Sequence, residues 1–297
     1  ATFRASGDTR ITAVIMLGSS VMNFILDPIL IFGWGPVPAL GIEGAALASL
    51  IAWASTSIVA LYLLKRLKGL LLLEWLRWPD IWDNWRSVLR ISLPAALSNM
   101  MTPVANGVLT AVVARHGPEA VAAFGVGNRL ESLSLLVCLA LSMTLPPFIS
   151  QNFGARMMQR VQGAYQTAVQ FALIWQFLVY LVLALCAGWV AQLFTDDPEV
   201  LRWLTLWILV VPLGFGFQAA TFLSSSTFNA LHQPLRALRI SLVRLFILYV
   251  PLGWLGNHLF ELKGMFVALV VANALTALFA WFWMLRVQGR LIQEVQQ

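Results

Sequence analysis

The sequence predicts an all-α, polytopic membrane protein, and three observations carry that prediction. Of the 297 residues, 60% are hydrophobic and only 11% charged, with a mean hydropathy of +0.80. Soluble domains carry about 25% charged and about 45–50% apolar residues, so the composition argues against a water-soluble enzyme. Residues 44–64, 91–114, 132–155, 203–235 and 264–285 hold no Asp, Glu, Lys or Arg. Each run can cross a hydrocarbon core about 30 Å thick, which takes roughly 20 helical residues. Barrel strands would alternate with period two over about ten residues, whereas these runs are apolar all round.

In chain order the spans are 11–33 around Asp27, 44–64, 91–114, 119–149 containing Arg129 and Glu131, 161–195, 203–235, 236–258 around Arg244, and 264–285. Lys and Arg concentrate in cytoplasmic loops. One alternating set of loops and ends holds fourteen of the nineteen Lys and Arg, while the opposite set holds Arg115, Arg202 and Lys263. Glu43, Glu119, Asp196, Asp197, Glu199 and Glu261 cluster on that second side, so both ends of the chain are expected in the cytoplasm. The net charge of +6 is thus a topology signal. It forms no basic, aromatic-interleaved groove, and no nucleic-acid partner is expected.

Between the second and third spans, Trp75, Trp78, Trp82 and Trp85 are interleaved with Glu74, Arg77, Asp80, Asp83 and Arg86. Pro79 suits the first residue of a short helix, and Trp beside basic residues reads as an interfacial strap tethering two rigid bodies. The expected organisation is 1–66 as the end of one lobe, 67–88 as a cytoplasmic linker and 89–297 as a six-helix second lobe. Setting Gly44 over Gly264 also aligns Ala48 with Ala268, Ala52 with Ala272, Thr56 with Thr276 and Ala60 with Ala280. Internal repeats of this kind are a transporter signature. Extending the repeat upstream predicts a twelve-span parent with about 130 further residues, four helices, before Ala1.

Chemistry is sparse. Cys138 and Cys186 sit in apolar runs as small hydrophobes, and His116, His232 and His258 fall at span ends or in loops without metal-ligand spacing. No His-Glu-x-x-His or Gly-x-Ser-x-Gly occurs, so an intramembrane enzyme lacks its machinery. Asp27 stands out, because an ionisable group inside a span normally marks an ion or proton path. Asn23 lies one turn earlier on the same face. Such a pair holds a small cation through oxygens, holds a protonated acid through an amide hydrogen bond, or caps the helix break at Pro28. Glu131 reads either as a cation or substrate carboxylate or as a structural partner for an Arg such as Arg244. Asn99, Thr102 and Asn106 either line a substrate path or bond across helices. Prolines 94, 103, 146, 147, 212 and 251 bend their spans, and Met100, Met101 and Met143 offer a soft cavity wall.

The run Phe3-Arg4-Ala5-Ser6-Gly7-Asp8-Thr9-Arg10, then Asn23-x-x-x-Asp27-Pro28, Phe32-Gly33 and Leu40-Gly41-Ile42-x-Gly44-Ala45-Ala46-x-Ala48, resembles the fifth and sixth helices of the multidrug and toxic compound extrusion (MATE) family. Leu93-Pro94, Ala123-Phe124-Gly125 and Gln151-Asn152-x-Gly154-Ala155 resemble its seventh and eighth. The resemblance implies an efflux antiporter of the bacterial inner membrane that expels lipophilic or cationic compounds in exchange for protons or sodium. It implies no cofactor, no metal beyond a sodium ion at Asp27, and no obligatory protein partner besides the surrounding lipids. It also implies that Asn23 and Asp27 join a hydroxyl on the next helix, by position Ser49, in a cation site completed by an Asp on the first helix. A lipid or polysaccharide flippase of the same superfamily is the alternative, and would be expected to have a more basic cavity.

Overall fold

The computed structural model describes residues 3, 9–34, 38–68 and 78–296, and the described residues are helical with no strand. The chain divides into two compact units, Ala1–Ile81 and Trp82–Gln297. Among the described residues, seven helical segments are long and apolar enough to cross a membrane. The last of them, Pro234–Gly289, has 56 residues, about 84 Å at 1.5 Å per residue and far more than one crossing needs. Phe260 (φ −136°) and Glu261 (φ 55°, ψ −149°) break it, so it supplies two crossings and the described count becomes the expected eight.

The first unit is a pair of helices, α1 (Thr9–Phe32) and α2 (Gly41–Lys68). Gly33 (φ 79°) and Gly41 (φ 55°) take the left-handed conformations that turn the chain. The Leu40 amide then donates to the Leu30 carbonyl at 3.0 Å. Gly44, Ala48 and Ala52 recur every four residues on the buried face of α2. A Cβ on Gly44 would run into the Leu30 carbonyl, so a small residue is what lets the two backbones meet.

The second unit begins inside α3 (Trp78–Val113). The sequence suggested a short interfacial helix followed by a separate span, but α3 runs through both as one helix of 36 residues. Residues 80–93 contain neither Gly nor Pro, so nothing stops the helix there. Trp82 and Trp85 are exposed on it. The remainder of the proposed strap, residues 69–77, lies outside the described residues, as does most of the Phe3–Arg10 run. Next come α4 (Pro118–Ser134) and α5 (Leu136–Gly154), which divide the 119–149 span at Leu135. They are followed by α6 (Met158–Leu185), α7 (Ala187–Gln192) and α8 (Pro198–Val210). Then come α9 (Phe215–Ala230), α10 (Pro234–Leu242), a π-helical turn at Val243–Tyr249, and α11 (Val250–Gln296).

Helix α9 is the axis of this unit. It packs against α5, α6, α10 and α11 and buries aromatic and small residues together, among them Phe215, Ala219, Leu223 and Phe228. Some polar groups along it find partners in place of water, while the buried Thr227 Oγ1 and Asn229 Oδ1 have none: the Ser224 hydroxyl sits 2.7 Å from the Tyr165 hydroxyl and donates to the Ala220 carbonyl at 2.8 Å. Gln176 likewise donates to the Ser134 carbonyl at 2.9 Å. Without such partners each polar atom in hydrocarbon would cost several kcal/mol, on the order of 2–7. Near the break in α11, Gly256 and Gly264 face each other so closely that a Cβ on either would strike the other's carbonyl. His116, after α3, is tied to Asn257 on α11 at 2.6 Å.

Candidate functional site

Two arrangements collect the polar residues, one in each unit. In the first, Asn23 and Asp27 lie on α1, half-buried and one turn apart. The Asn23 amide nitrogen donates to the Ser49 hydroxyl of α2 at 3.3 Å. The same small-residue face that draws α2 onto α1 therefore positions Ser49 opposite Asn23. With its nitrogen engaged there, Asn23 has its carbonyl oxygen left for a cation, on the helix face it shares with the Asp27 carboxylate. Asp27 makes no hydrogen bond or ion pair with another described residue. Helix α1 continues through Pro28 to Phe32. Pro28 has no amide proton and so leaves the Phe24 carbonyl without its usual helical donor.

In the second unit a cavity of about 410 Å³ opens between α3, α5, α9, α10 and the π-helical turn. That is within the range of small-molecule pockets, roughly 300–1,000 Å³. Asn99 and Thr102 line it, as do Thr221, Ser225, Asn229 and Arg244. Met101 and Met143 form part of its apolar wall, while Met100, Asn106 and Glu131 are not among the lining residues. Ser98 and Ser241, 2.5 Å apart, join α3 to α10 at its edge. The Asn106 carbonyl accepts from Thr110 within α3.

Glu131 lies behind the cavity. Its Oε1 accepts from Gln218 Nε2 at 2.7 Å, so its partner is an amide on α9 and not the suggested arginine. Arg244 lies within electrostatic range of Glu131, but no ion pair within 4.0 Å joins them. The Arg244 guanidinium is instead bracketed by aromatic rings, 5.1 Å from the Tyr249 centroid and 5.8 Å from that of Phe222. Gln218, Phe222 and Tyr249 had no individual mark in the sequence. Gln218 is nonetheless one of few amides in the charge-free 203–235 run.

Residues 94–255 match the MatE family model, more than half of the chain. The chain belongs to the MATE family. It is 41% identical over 279 residues to a protein of Shewanella oneidensis named FAD transporter, covering 94% of this chain and 62% of that protein. It is 28% identical over 289 residues to the multidrug export protein MepA of Staphylococcus haemolyticus, covering 97% of this chain and 62% of MepA. Among solved structures, it superposes on a mutant of the Vibrio cholerae MATE transporter VcmN with a TM-score of 0.89 and 34% identity, over 97% of this chain and 64% of VcmN. The chain thus spans a little under two thirds of the length of the relatives it matches. MATE proteins are transporters and not enzymes.

Proposed function

We propose that the full-length protein is a cation-coupled antiporter that exports a small organic compound by alternating access. One observation carries this reading: Asn23, fixed by its bond to Ser49, shares a face with the lone carboxylate Asp27 inside an apolar helix. An acid placed there is expensive unless it cycles between a bound cation or proton and release. Residues 1–66 then close one lobe, 67–88 link it to the next, and 89–297 form the second. The basic loops favour a bacterial cytoplasmic membrane with both ends of this chain inside.

The cargo reading favours a hydrogen-bonding compound of the flavin dinucleotide kind. It is supported by the higher identity to the FAD transporter and by the hydroxyl- and amide-lined cavity. Lipophilic or cationic drugs are the second reading, favoured by the relation to MepA and by Met101 and Met143 on the cavity wall. The test is transport by the full-length protein in proteoliposomes loaded with FAD or with ethidium, under separate pH and sodium gradients. The driving ion accelerates efflux in its own gradient, and Asp27→Asn abolishes that acceleration while leaving membrane insertion intact. Unchanged gradient-driven efflux by the Asp27→Asn protein would overturn the coupling assignment.

A further inference from the structure

Among the described residues, Arg244 is the single charged one lining the cavity of the second unit. It is 9% exposed and sits on the π-helical turn Val243–Tyr249. A guanidinium buried at membrane depth is costly and normally pairs with an anion or faces a polar cavity. Arg244 faces the cavity and has no carboxylate within 4.0 Å among the described residues. The titratable groups that bear on it are Glu131, from α4, and Tyr249, one turn along its own segment. The Glu131 carboxylate lies outside the lining, where its Oε1 accepts from Gln218. Tyr249 meets the guanidinium with its ring, whose centroid lies 5.1 Å from the guanidinium carbon. Phe222 covers a further face. A guanidinium carries five N–H donors, so these rings bracket the planar fork and leave its donors to the cavity. The wider π turn, a feature common at functional sites, is what sets Arg244 in this place.

The rest of the wall is complementary to an anionic, hydrogen-bonding guest. The buried Asn229 Oδ1 has no partner. Asn99, Thr102 and Ser225 make no side-chain hydrogen bond with another described residue and line the same cavity. Thr221 and Ser226, by contrast, already donate to carbonyls of their own helix, Phe217 at 3.0 Å and Leu223 at 3.0 Å. A cation with no carboxylate within 4.0 Å among the described residues, an unpaired acceptor and unengaged hydroxyls therefore gather around one space of about 410 Å³.

We infer that Arg244 is the specificity-determining seat for an anionic group of the cargo, a phosphate or carboxylate held by its guanidinium fork, with the Asn and Ser/Thr side chains binding the polar remainder. This rests on the reading of the protein as an exporter, and it makes the cavity select organic anions over lipophilic cations. A bidentate Arg–phosphate contact supplies both strength and geometric selection, which a single lysine charge does not reproduce.

The test is equilibrium binding to the purified full-length protein with three probes: riboflavin, its 5′-phosphate, and adenosine monophosphate. Riboflavin and its phosphate share the ring and differ by the phosphate ester. The wild-type protein should bind the phosphate form about 10-fold more tightly or better, the size of one charge-assisted hydrogen-bonded contact. Arg244→Gln should erase that ratio while leaving riboflavin affinity near its wild-type value, and Arg244→Lys should restore part of it. Equal wild-type affinity for the two flavins, with no binding of adenosine monophosphate, overturns the inference and needs no variant to fold. Equal weakening of both flavins by Arg244→Gln also overturns it, because a merely structural arginine would act that way. Adenosine monophosphate binding that depends on Arg244, without flavin phosphate binding, upholds the anion seat and rejects the flavin cargo. Asp27→Asn separates the two readings: it should remove ion-driven transport and leave the phosphate-to-riboflavin affinity ratio unchanged.

Discussion

Two glycines on one helix give opposite predictions for the same substitution. Gly125 and Gly127 both lie in α4, two residues apart. An ideal Cβ on Gly125 meets nothing within 4 Å, whereas one on Gly127 lies 2.5, 2.6 and 2.9 Å from Cε2, Cδ2 and Nε1 of Trp207. Ordinary carbon contacts sit at about 3.5–4.0 Å, so the indole would have to retreat by about 1 Å. Trp207 is 1% exposed and tilted against Phe215, with ring centroids 6.0 Å apart, so it has nowhere to go. Replacing helical Gly by Ala gains about 0.8–1.0 kcal/mol from propensity alone. Overpacking costs about 1–3 kcal/mol, and a clash with three ring atoms belongs at the upper end. Gly125→Ala is therefore expected to stabilise by about 1 kcal/mol, and Gly127→Ala to destabilise by about 2 kcal/mol. At roughly 2–4 °C per kcal/mol for a unit of this size, the midpoints separate by about 6–12 °C. Thermal unfolding of the detergent-solubilised full-length protein, followed by fluorescence-detected size exclusion, reads the difference. A rise in midpoint for Gly127→Ala, matching Gly125→Ala, would refute the packing argument.

The other predictions address the helix pair and a cap. Gly44→Ala should lower the monodisperse yield of the full-length protein strongly, because the obstacle is the Leu30 backbone, which cannot swing aside as a side chain does; a normal yield would contradict the close approach. Ser49→Ala removes the acceptor that orients Asn23, so half-maximal export should need a larger driving-ion gradient, while Ser49→Thr should behave as wild type. Identical ion dependence in all three proteins would detach Ser49 from the site. The Asp197 carboxylate caps α8 by accepting from the Glu199 and Val200 amides at 2.9 and 3.2 Å. Asp197→Ala should lower stability by about 1 kcal/mol. Glu199→Gln should change it little, because the pairing of Glu199 with Arg202 at 3.8 Å is exposed. Equal thermal midpoints for the two variants would deny the cap its role.

The fold was legible because the bilayer imposes a crude code: a run of about 20 uncharged apolar residues has few other uses. The same code placed the start of the third span at residue 91, whereas α3 begins at Trp78 and carries Asp83, Arg86 and Arg90 in its first turns. Asp27 stands out in the sequence for the opposite reason, as a charge where charge is expensive, and a four-residue spacing puts Asn23 on its face by helical geometry alone. The cavity was legible only in part: Asn99, Thr102, Met101 and Met143 line it as the sequence suggested, whereas Asn106, Met100 and Glu131 do not. Its wall is assembled from α3, α5, α9, α10 and the π-helical turn, and the serines and threonines on it are indistinguishable in sequence from those that donate back to their own helices, such as Thr110 and Thr276. Arg244 was visible as an intramembrane cation, but its aromatic bracket depends on a π turn that no local composition announces.

Glu131 is where the two readings of the second unit meet. If the carboxylate binds a cation of its own, Glu131→Gln should remove part of the ion dependence of export and leave anion affinity alone. If it tempers the field of Arg244 from behind the cavity wall, the same substitution should leave ion dependence intact and raise the affinity for riboflavin 5′-phosphate several-fold, with riboflavin unchanged. The substitution is nearly isosteric, and a glutamine carbonyl still accepts from Gln218, whose nitrogen donates at 2.7 Å in the native pair. Packing and hydrogen bonding are therefore preserved while the charge is removed, so a change in affinity reports electrostatics. The placement favours the second outcome: Glu131 is held by an amide outside the lining, whereas Arg244 lines the cavity itself. Loss of ion-driven transport in Glu131→Gln with unaltered flavin phosphate binding would assign the carboxylate to coupling and leave Arg244 to act on the cargo alone.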